Sequence, residues 1–124
     1  MILSQSLNEK NNLELTKGYI LESIAISKVV HAMQTERGVS SGFLAKNELD
    51  KQDTKLLLAR DALNKALDDA KYIYQKKQLK DKTILNLLNE LDATRKDMDL
   101  KSKSISYIKE YYSQKIELLL NYVA

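Results

Sequence analysis

The sequence has no cysteine, no proline and no tryptophan, and it has only three glycines and one histidine among 124 residues. Without cysteine, the chain can form neither a disulfide framework nor a thiolate metal site. Because proline is absent and glycine is scarce, the residues that interrupt helices are largely missing, and the composition favours helix throughout. No stretch reaches the roughly 18 apolar residues of a membrane span, and the N-terminus lacks the apolar segment of a signal peptide.

The charge pattern argues against a nucleic-acid partner. Twenty basic and 17 acidic residues give a net charge of +3, and the two signs are interspersed along the chain instead of forming a basic stripe. A chain of this length can remove about two thirds of its unfolded surface from water, so we expect residues 1–124 to form one domain with a core.

The sequence gives little support for catalysis or for a bound cofactor. It has no glycine-rich phosphate loop and no Glu-x-x-His pair of the kind that binds a di-iron centre. Ser40 and Ser41 have no candidate base except His31, which lies nine residues before Ser40 on the same predicted helix. We therefore predict a protein that is not an enzyme, with no cofactor and no metal site.

Apolar residues recur at helical spacing in four segments that are separated by short polar breaks. The segments cover about residues 3–46, 53–77, 82–100 and 104–123. Short connections make neighbouring helices antiparallel. The sequence therefore predicts an all-α, up-down-up-down four-helix bundle with an elongated first helix and both chain ends on the same side.

Polar residues at the breaks are suited to cap three of these helices. We expect Asp50 or Asp53 to cap the second helix, Asp81 the third, and Ser102 or Ser104 the fourth.

The first helix starts with a polar-rich stretch that carries a narrow apolar seam, formed by Leu3, Leu7 and Leu13. A narrow seam is typical of a stalk or of a helix that pairs with a second subunit, whereas a frayed end would have the same composition. We predict a parallel homodimer with the first helix near the two-fold axis.

Two of the three arginines lie on apolar stripes. Arg37 falls within the arc of the first-helix stripe, and Arg95 falls near the centre of the third-helix stripe. The stripe residues are Tyr19, Ile26, Val30, Met33 and Leu44 in the first helix and Ile84, Leu87, Leu88, Leu91 and Met98 in the third. A buried guanidinium needs either an internal carboxylate or a bound anion, because an isolated buried charge costs several kcal/mol.

The residues beside Arg37 lead to further expectations. Glu36 lies about 100° round the helix from Arg37 and is expected to face solvent. His31 shares a face with Ile20, Ile24 and Gly38, and we expect it to lie in the core.

Glycines in the middle of a helix weaken it, so their presence suggests a use. Gly38, Ser41, Gly42 and Ala45 share one face, which neighbouring backbone or a small ligand could approach closely.

The motif H-x-x-Q-x-E-R-G-x-S at residues 31–40, the later L-x-x-x-R at 91–95 and the paired Tyr111 and Tyr112 resemble the nitrate- and nitrite-sensing (NIT) domain. These domains are all-helical sensors in bacterial chemoreceptors, histidine kinases, cyclic-dinucleotide enzymes and antiterminators. The resemblance implies an extracellular sensory role, with Arg37 and Arg95 as the pair that contacts the anion.

Two functional hypotheses follow. In the first, the chain is the periplasmic sensor domain of an inner-membrane receptor with flanking transmembrane helices. A small anion such as nitrate or nitrite then bridges Arg37 and Arg95 and shifts the first helix relative to the fourth. The expected ligand-binding residues are Arg37, Arg95, Gln34, Ser41, His31 and Tyr112.

In the second hypothesis, the chain is a ligand-free structural or dimerisation bundle in which the arginines pair with carboxylates, for which Glu36, Glu90 and Asp92 are the candidates. The charge balance of the interior distinguishes the two, because an excess of buried positive charge requires an anion.

Overall fold

The computed structural model describes residues 2–46, 53–76 and 83–123, and its described part is helical without strands. The four helices are α1 (Ile2–Ala45), α2 (Thr54–Lys76), α3 (Thr83–Asp99) and α4 (Ile105–Val123). The predicted all-α four-helix bundle with an elongated first helix is confirmed, and each helix begins and ends within one residue of its predicted bound. None of the described helices is long and apolar enough to cross a membrane.

The bundle is built around α1, which packs closely against α2 on one side and α4 on the other, while α3 contacts α2 and α4. At 1.5 Å per residue, the 44 residues of α1 span about 66 Å and the 23 residues of α2 about 35 Å. Because α2 starts close to the end of α1, it runs back along only the C-terminal half of α1.

The core contains apolar side chains from all four helices. Its members are Ala25, Ile26, Val29, Val30, Ala32, Met33, Leu56, Leu63, Leu67, Ala70, Leu87, Leu91, Met98, Ile108, Tyr112, Ile116 and Leu119. The stripes also predicted that Tyr19, Ile84 and Leu88 are buried, but their side chains lie outside the described part of the structure.

Two of the predicted caps hold the starts of α2 and α4. The Asp53 carboxylate accepts hydrogen bonds from the backbone N–H of Lys55 (3.0 Å) and of Leu56 (3.2 Å). The Ser104 hydroxyl accepts one from the N–H of Tyr107 at 3.1 Å. Such caps satisfy N–H groups that have no partner within their helix.

At the predicted break after α3, one residue adopts the left-handed backbone conformation that often closes an α-helix. Lys101 has a φ of 51°, and the N–H of Ser102 donates to the carbonyl of Asp97 at 3.0 Å. This closure ends α3 and turns the chain into α4. The other two cap candidates, Asp50 and Asp81, lie outside the described residues.

Candidate functional site

A buried ion pair joins α1 to α3. The side chain of Glu36 is fully buried, and Arg95 is 8% exposed. Arg95 Nη2 donates to Glu36 Oε1 at 2.6 Å, and Arg95 Nε donates to Glu36 Oε2 at 3.3 Å. Two parallel N–H to oxygen contacts of this kind make the strongest and most directional carboxylate interaction that a side chain offers.

The other two helices also bind this pair. Arg95 Nη1 donates to Asn64 Oδ1 on α2 at 2.6 Å, and the Tyr112 hydroxyl on α4 donates to Glu36 Oε2. We call Glu36, Asn64, Arg95 and Tyr112 the buried polar cluster. Because each of its four members belongs to a different helix, the cluster fixes the register of the whole bundle.

The pKa of Tyr112 is raised, first by burial and then by the negative charge of Glu36. The hydroxyl therefore stays protonated and continues to donate to the carboxylate. Glu36 and Arg95 are the buried charged side chains of the described core, so its interior contains one acid and one base. By the charge-balance criterion this interior requires no anion, and an anion site can lie only outside the buried polar cluster.

The burial of Glu36 contradicts a prediction, because this side chain is expected from the sequence to face solvent. The buried stripe of α1 contains Val29, Met33 and Ser40, and Glu36 lies within about 60° of each of them. The buried stripe is wider than the predicted one and is centred about 60° away from it, so Glu36 points inward and Arg37 lies near its edge. The expected core position of His31 is also wrong, since this side chain is exposed.

Arg37 is half-buried and faces α4. Its Nη1 donates to the Ser113 hydroxyl at 3.2 Å, and the Ser41 hydroxyl donates to the Arg37 carbonyl oxygen at 3.0 Å. Within residues 2–46, 53–76 and 83–123, Arg37 has no carboxylate at ion-pair distance. Its charge is therefore not compensated by a neighbouring acid of the described chain.

The other two arginines differ from Arg37 in this respect. Arg95 is paired with Glu36, and Arg60 donates to both carboxylate oxygens of Asp99, at 2.8 and 3.2 Å. An arginine whose charge is matched internally has a structural role that requires no ligand. Arg37 is thus the arginine that has no carboxylate partner among the described residues.

The structure distributes the remaining predicted ligand residues over different places. Gln34 is exposed one turn before Arg37, Ser41 is half-buried one turn after it, and His31 is exposed on the side of α1 that faces α2. Tyr112 belongs to the buried polar cluster. Ser113 was not predicted, because a serine at the edge of an amphipathic helix gives no signal in the sequence.

Gly38 and Gly42 border open space, since a Cβ atom built on either would have no neighbour within 4 Å. The expectation that neighbouring backbone approaches this glycine face closely is therefore wrong. Approach by a small ligand stays a prediction. Within the described part of the chain, no three metal-ligating side chains come together.

A comparison with known families shows which family the chain belongs to. The model of the family described as nitrate and nitrite sensing matches residues 28–124, a range that contains Arg37, Ser113 and the whole buried polar cluster. Neither a curated protein nor a solved structure matches the chain. The match covers well over half of the sequence, and the chain therefore belongs to the nitrate and nitrite sensing (NIT) family.

Proposed function

We propose that this domain senses a small planar oxyanion, nitrate or nitrite, at Arg37 on the α1–α4 face, as the extracytoplasmic part of a bacterial membrane receptor. The observation that carries the proposal is the half-buried Arg37 guanidinium, which has Ser113 as its hydrogen-bond partner and no carboxylate among the described residues. Family membership supports the choice of anion.

The groups around Arg37 suit a planar anion with several acceptor oxygens. The guanidinium presents parallel N–H donors, and the Ser113 hydroxyl, which accepts from Arg37 in this structure, can donate its own O–H to an anion that takes the place of that hydrogen bond. The exposed amide of Gln34, one turn earlier on α1, adds a further donor. Partial burial strengthens the hydrogen bonds of Arg37 and Ser113 to an anion relative to bulk water.

Arg95 has a different role in this proposal. Glu36 already neutralises the charge of Arg95, so Arg95 and Tyr112 hold the helix register. This is the structural role that the ligand-free hypothesis assigns to an arginine paired with a carboxylate. Direct contact of Arg95, Tyr112 or His31 with the anion stays a prediction.

Signal transmission follows from where the site lies. Arg37 is on α1 and Ser113 is on α4, so an anion inserted between them replaces the present hydrogen bond and moves one helix relative to the other. In a longer receptor, these two helices would continue into the flanking transmembrane helices that we predicted, and a homodimer would couple two such domains.

Thermal unfolding in a panel of anions at constant ionic strength tests the proposal. A ligand that binds only the folded state stabilises it by about 2.7 kcal/mol at a hundredfold excess over its dissociation constant. Nitrate and nitrite should raise the melting temperature, and chloride and neutral amino acids should not. Arg37→Ala should abolish the shift. Arg37→Lys should restore little of it, because a point charge cannot reproduce the planar fork.

The matched control is Arg60→Ala, which removes an arginine whose charge Asp99 already compensates. This variant should melt differently from the wild type but keep the full response to nitrate. If the wild type shows no anion-specific shift, the assignment of an anion site to Arg37 is wrong, and the four-helix bundle stands without it.

A further inference from the structure

A face of α1 with the apolar pattern of a buried stripe is exposed. Leu13, Ile20 and Ile24 lie within an arc of about 40° and are 58%, 53% and 47% exposed. His31 lies on the same face, where we had expected core. Contiguous apolar patches of this kind mark interaction surfaces, because single-chain proteins rarely expose them.

The exposed stripe borders a groove of about 760 Å³ between α1 and α2. Its apolar walls come from Ile20, Ile24 and Ala32 on α1 and from Ala62 and Ala66 on α2. An apolar groove of this kind can receive a helix with apolar anchors one turn apart.

We propose that a second copy of this chain docks into this groove with its own α1, in a parallel two-fold arrangement. The extent of the stripe favours a helical partner over a small ligand. Leu13 lies in the N-terminal half of α1, away from Ala62 and Ala66 of α2, so a compact molecule in the groove would leave it exposed. A second α1 covers Leu13, Ile20 and Ile24 together.

The charges at the groove are complementary to those of a second copy. Lys28, Lys65 and Asp69 line it, and none of them has an ion-pair partner within the described part of the chain. A two-fold axis brings the groove of each copy against that of the other, so Asp69 of one protomer can pair with a lysine of its partner.

The docking surface and the anion site lie on different sides of α1. Ile20 and Ile24 are about 100° and 140° round the helix from Arg37, which faces α4. The inference rests on the homodimer of the proposed function and identifies the surface through which the two copies bind. The Arg37 site stays accessible in this dimer.

Sedimentation equilibrium on the 124-residue chain tests the docking surface with two variants matched in chemistry and exposure. Ile24→Glu places a carboxylate in the groove, whereas Leu118→Glu makes the same change on α4 at a side chain that is also 47% exposed. Ile24→Glu should weaken dimerisation at least about tenfold, because an unpaired carboxylate would be buried, and Leu118→Glu should leave it unchanged.

Cross-linking provides a second measurement that does not depend on affinity. The chain contains no cysteine, so Ser27→Cys introduces one thiol on the exposed stripe, and Ser106→Cys introduces one on α4. Under mild oxidation, Ser27→Cys should form a disulfide-linked dimer faster than Ser106→Cys does.

The inference would be overturned if the wild type is a monomer at high micromolar concentration and Ser27→Cys cross-links no faster than Ser106→Cys. It would also be overturned if Ile24→Glu and Leu118→Glu weaken dimerisation equally. Arg37→Ala should dimerise like the wild type. A failed docking surface is therefore distinguishable from a failed anion site.

Discussion

Replacing Arg95 by methionine tests whether the buried polar cluster is a true ion pair. Methionine keeps much of the side-chain volume but leaves the fully buried Glu36 carboxylate with Tyr112 as its remaining partner in the cluster. Removing one member of a buried pair typically costs about 3–5 kcal/mol, because the other charge is left uncompensated. Against a total stability of about 5–15 kcal/mol for a domain, this loss is large but still measurable.

Adding Glu36→Gln to Arg95→Met separates charge from packing. Glutamine keeps an oxygen that can accept from the Tyr112 hydroxyl and removes the buried charge, so the double variant should be more stable than Arg95→Met alone. Urea unfolding followed by far-UV circular dichroism gives each free energy. The control is Asp99→Asn, which breaks the more exposed pair with Arg60 and should cost about 0–1 kcal/mol. A loss below about 1 kcal/mol for Arg95→Met, or a further loss on adding Glu36→Gln, would refute the ion-pair assignment.

Three further predictions concern alkaline stability, a glycine and a helix cap. Burial raises the pKa of Tyr111 to about 12, above the value of about 10 of an unfolded tyrosine, so stability should be full below about pH 10 and fall as the pH rises toward 12. Melting curves between about pH 8 and 11 should show this fall, and Tyr111→Phe should reduce it. Gly42→Ala should raise the free energy of unfolding by roughly 0.5–1 kcal/mol, because open space surrounds the site; a decrease in urea titrations would contradict the helix-propensity argument. The hydrogen bond from Lys46 and those from the α2 backbone lower the pKa of Asp53 from 3.8, so the stability it adds is present above that value and lost as the pH falls. Asp53→Ala should therefore lower the melting temperature at pH 7 more than at pH 3, and an equal drop at both would argue against an ionised cap.

Local patterns in the sequence predict most of the fold. Helix limits follow from apolar periodicity and from polar breaks, and the capping roles of Asp53 and Ser104 follow from residue type at helix starts. The orientation of α1 about its own axis was harder to predict. Two of its faces carry apolar residues. The stripe correctly predicted that Ile26 and Met33 face the bundle, whereas the face of Ile20, which was also expected to be core, points outward.

The candidate site was predictable in part. The sequence indicated that Arg95 is buried and that it needs either a carboxylate or an anion. It could not select Glu36 among the candidate carboxylates, because the two residues are 59 positions apart and come together only when α2 and α4 place α3 across the bundle from α1. The partner of Arg37, Ser113, is 76 positions away for the same reason. Charge balance in the interior becomes visible only when all four helices are in place.

Isothermal titration of nitrate into the wild-type domain and into Arg37→Ala, at equal ionic strength, tests the central claim most directly. The uncompensated charge of Arg37 predicts saturable binding in the wild type, no detectable binding in Arg37→Ala, and unchanged binding in Arg60→Ala, whose arginine is already paired with Asp99. Equal nitrate binding by the wild type and Arg37→Ala, or none by either, would contradict the assignment of Arg37 as the anion-contacting residue.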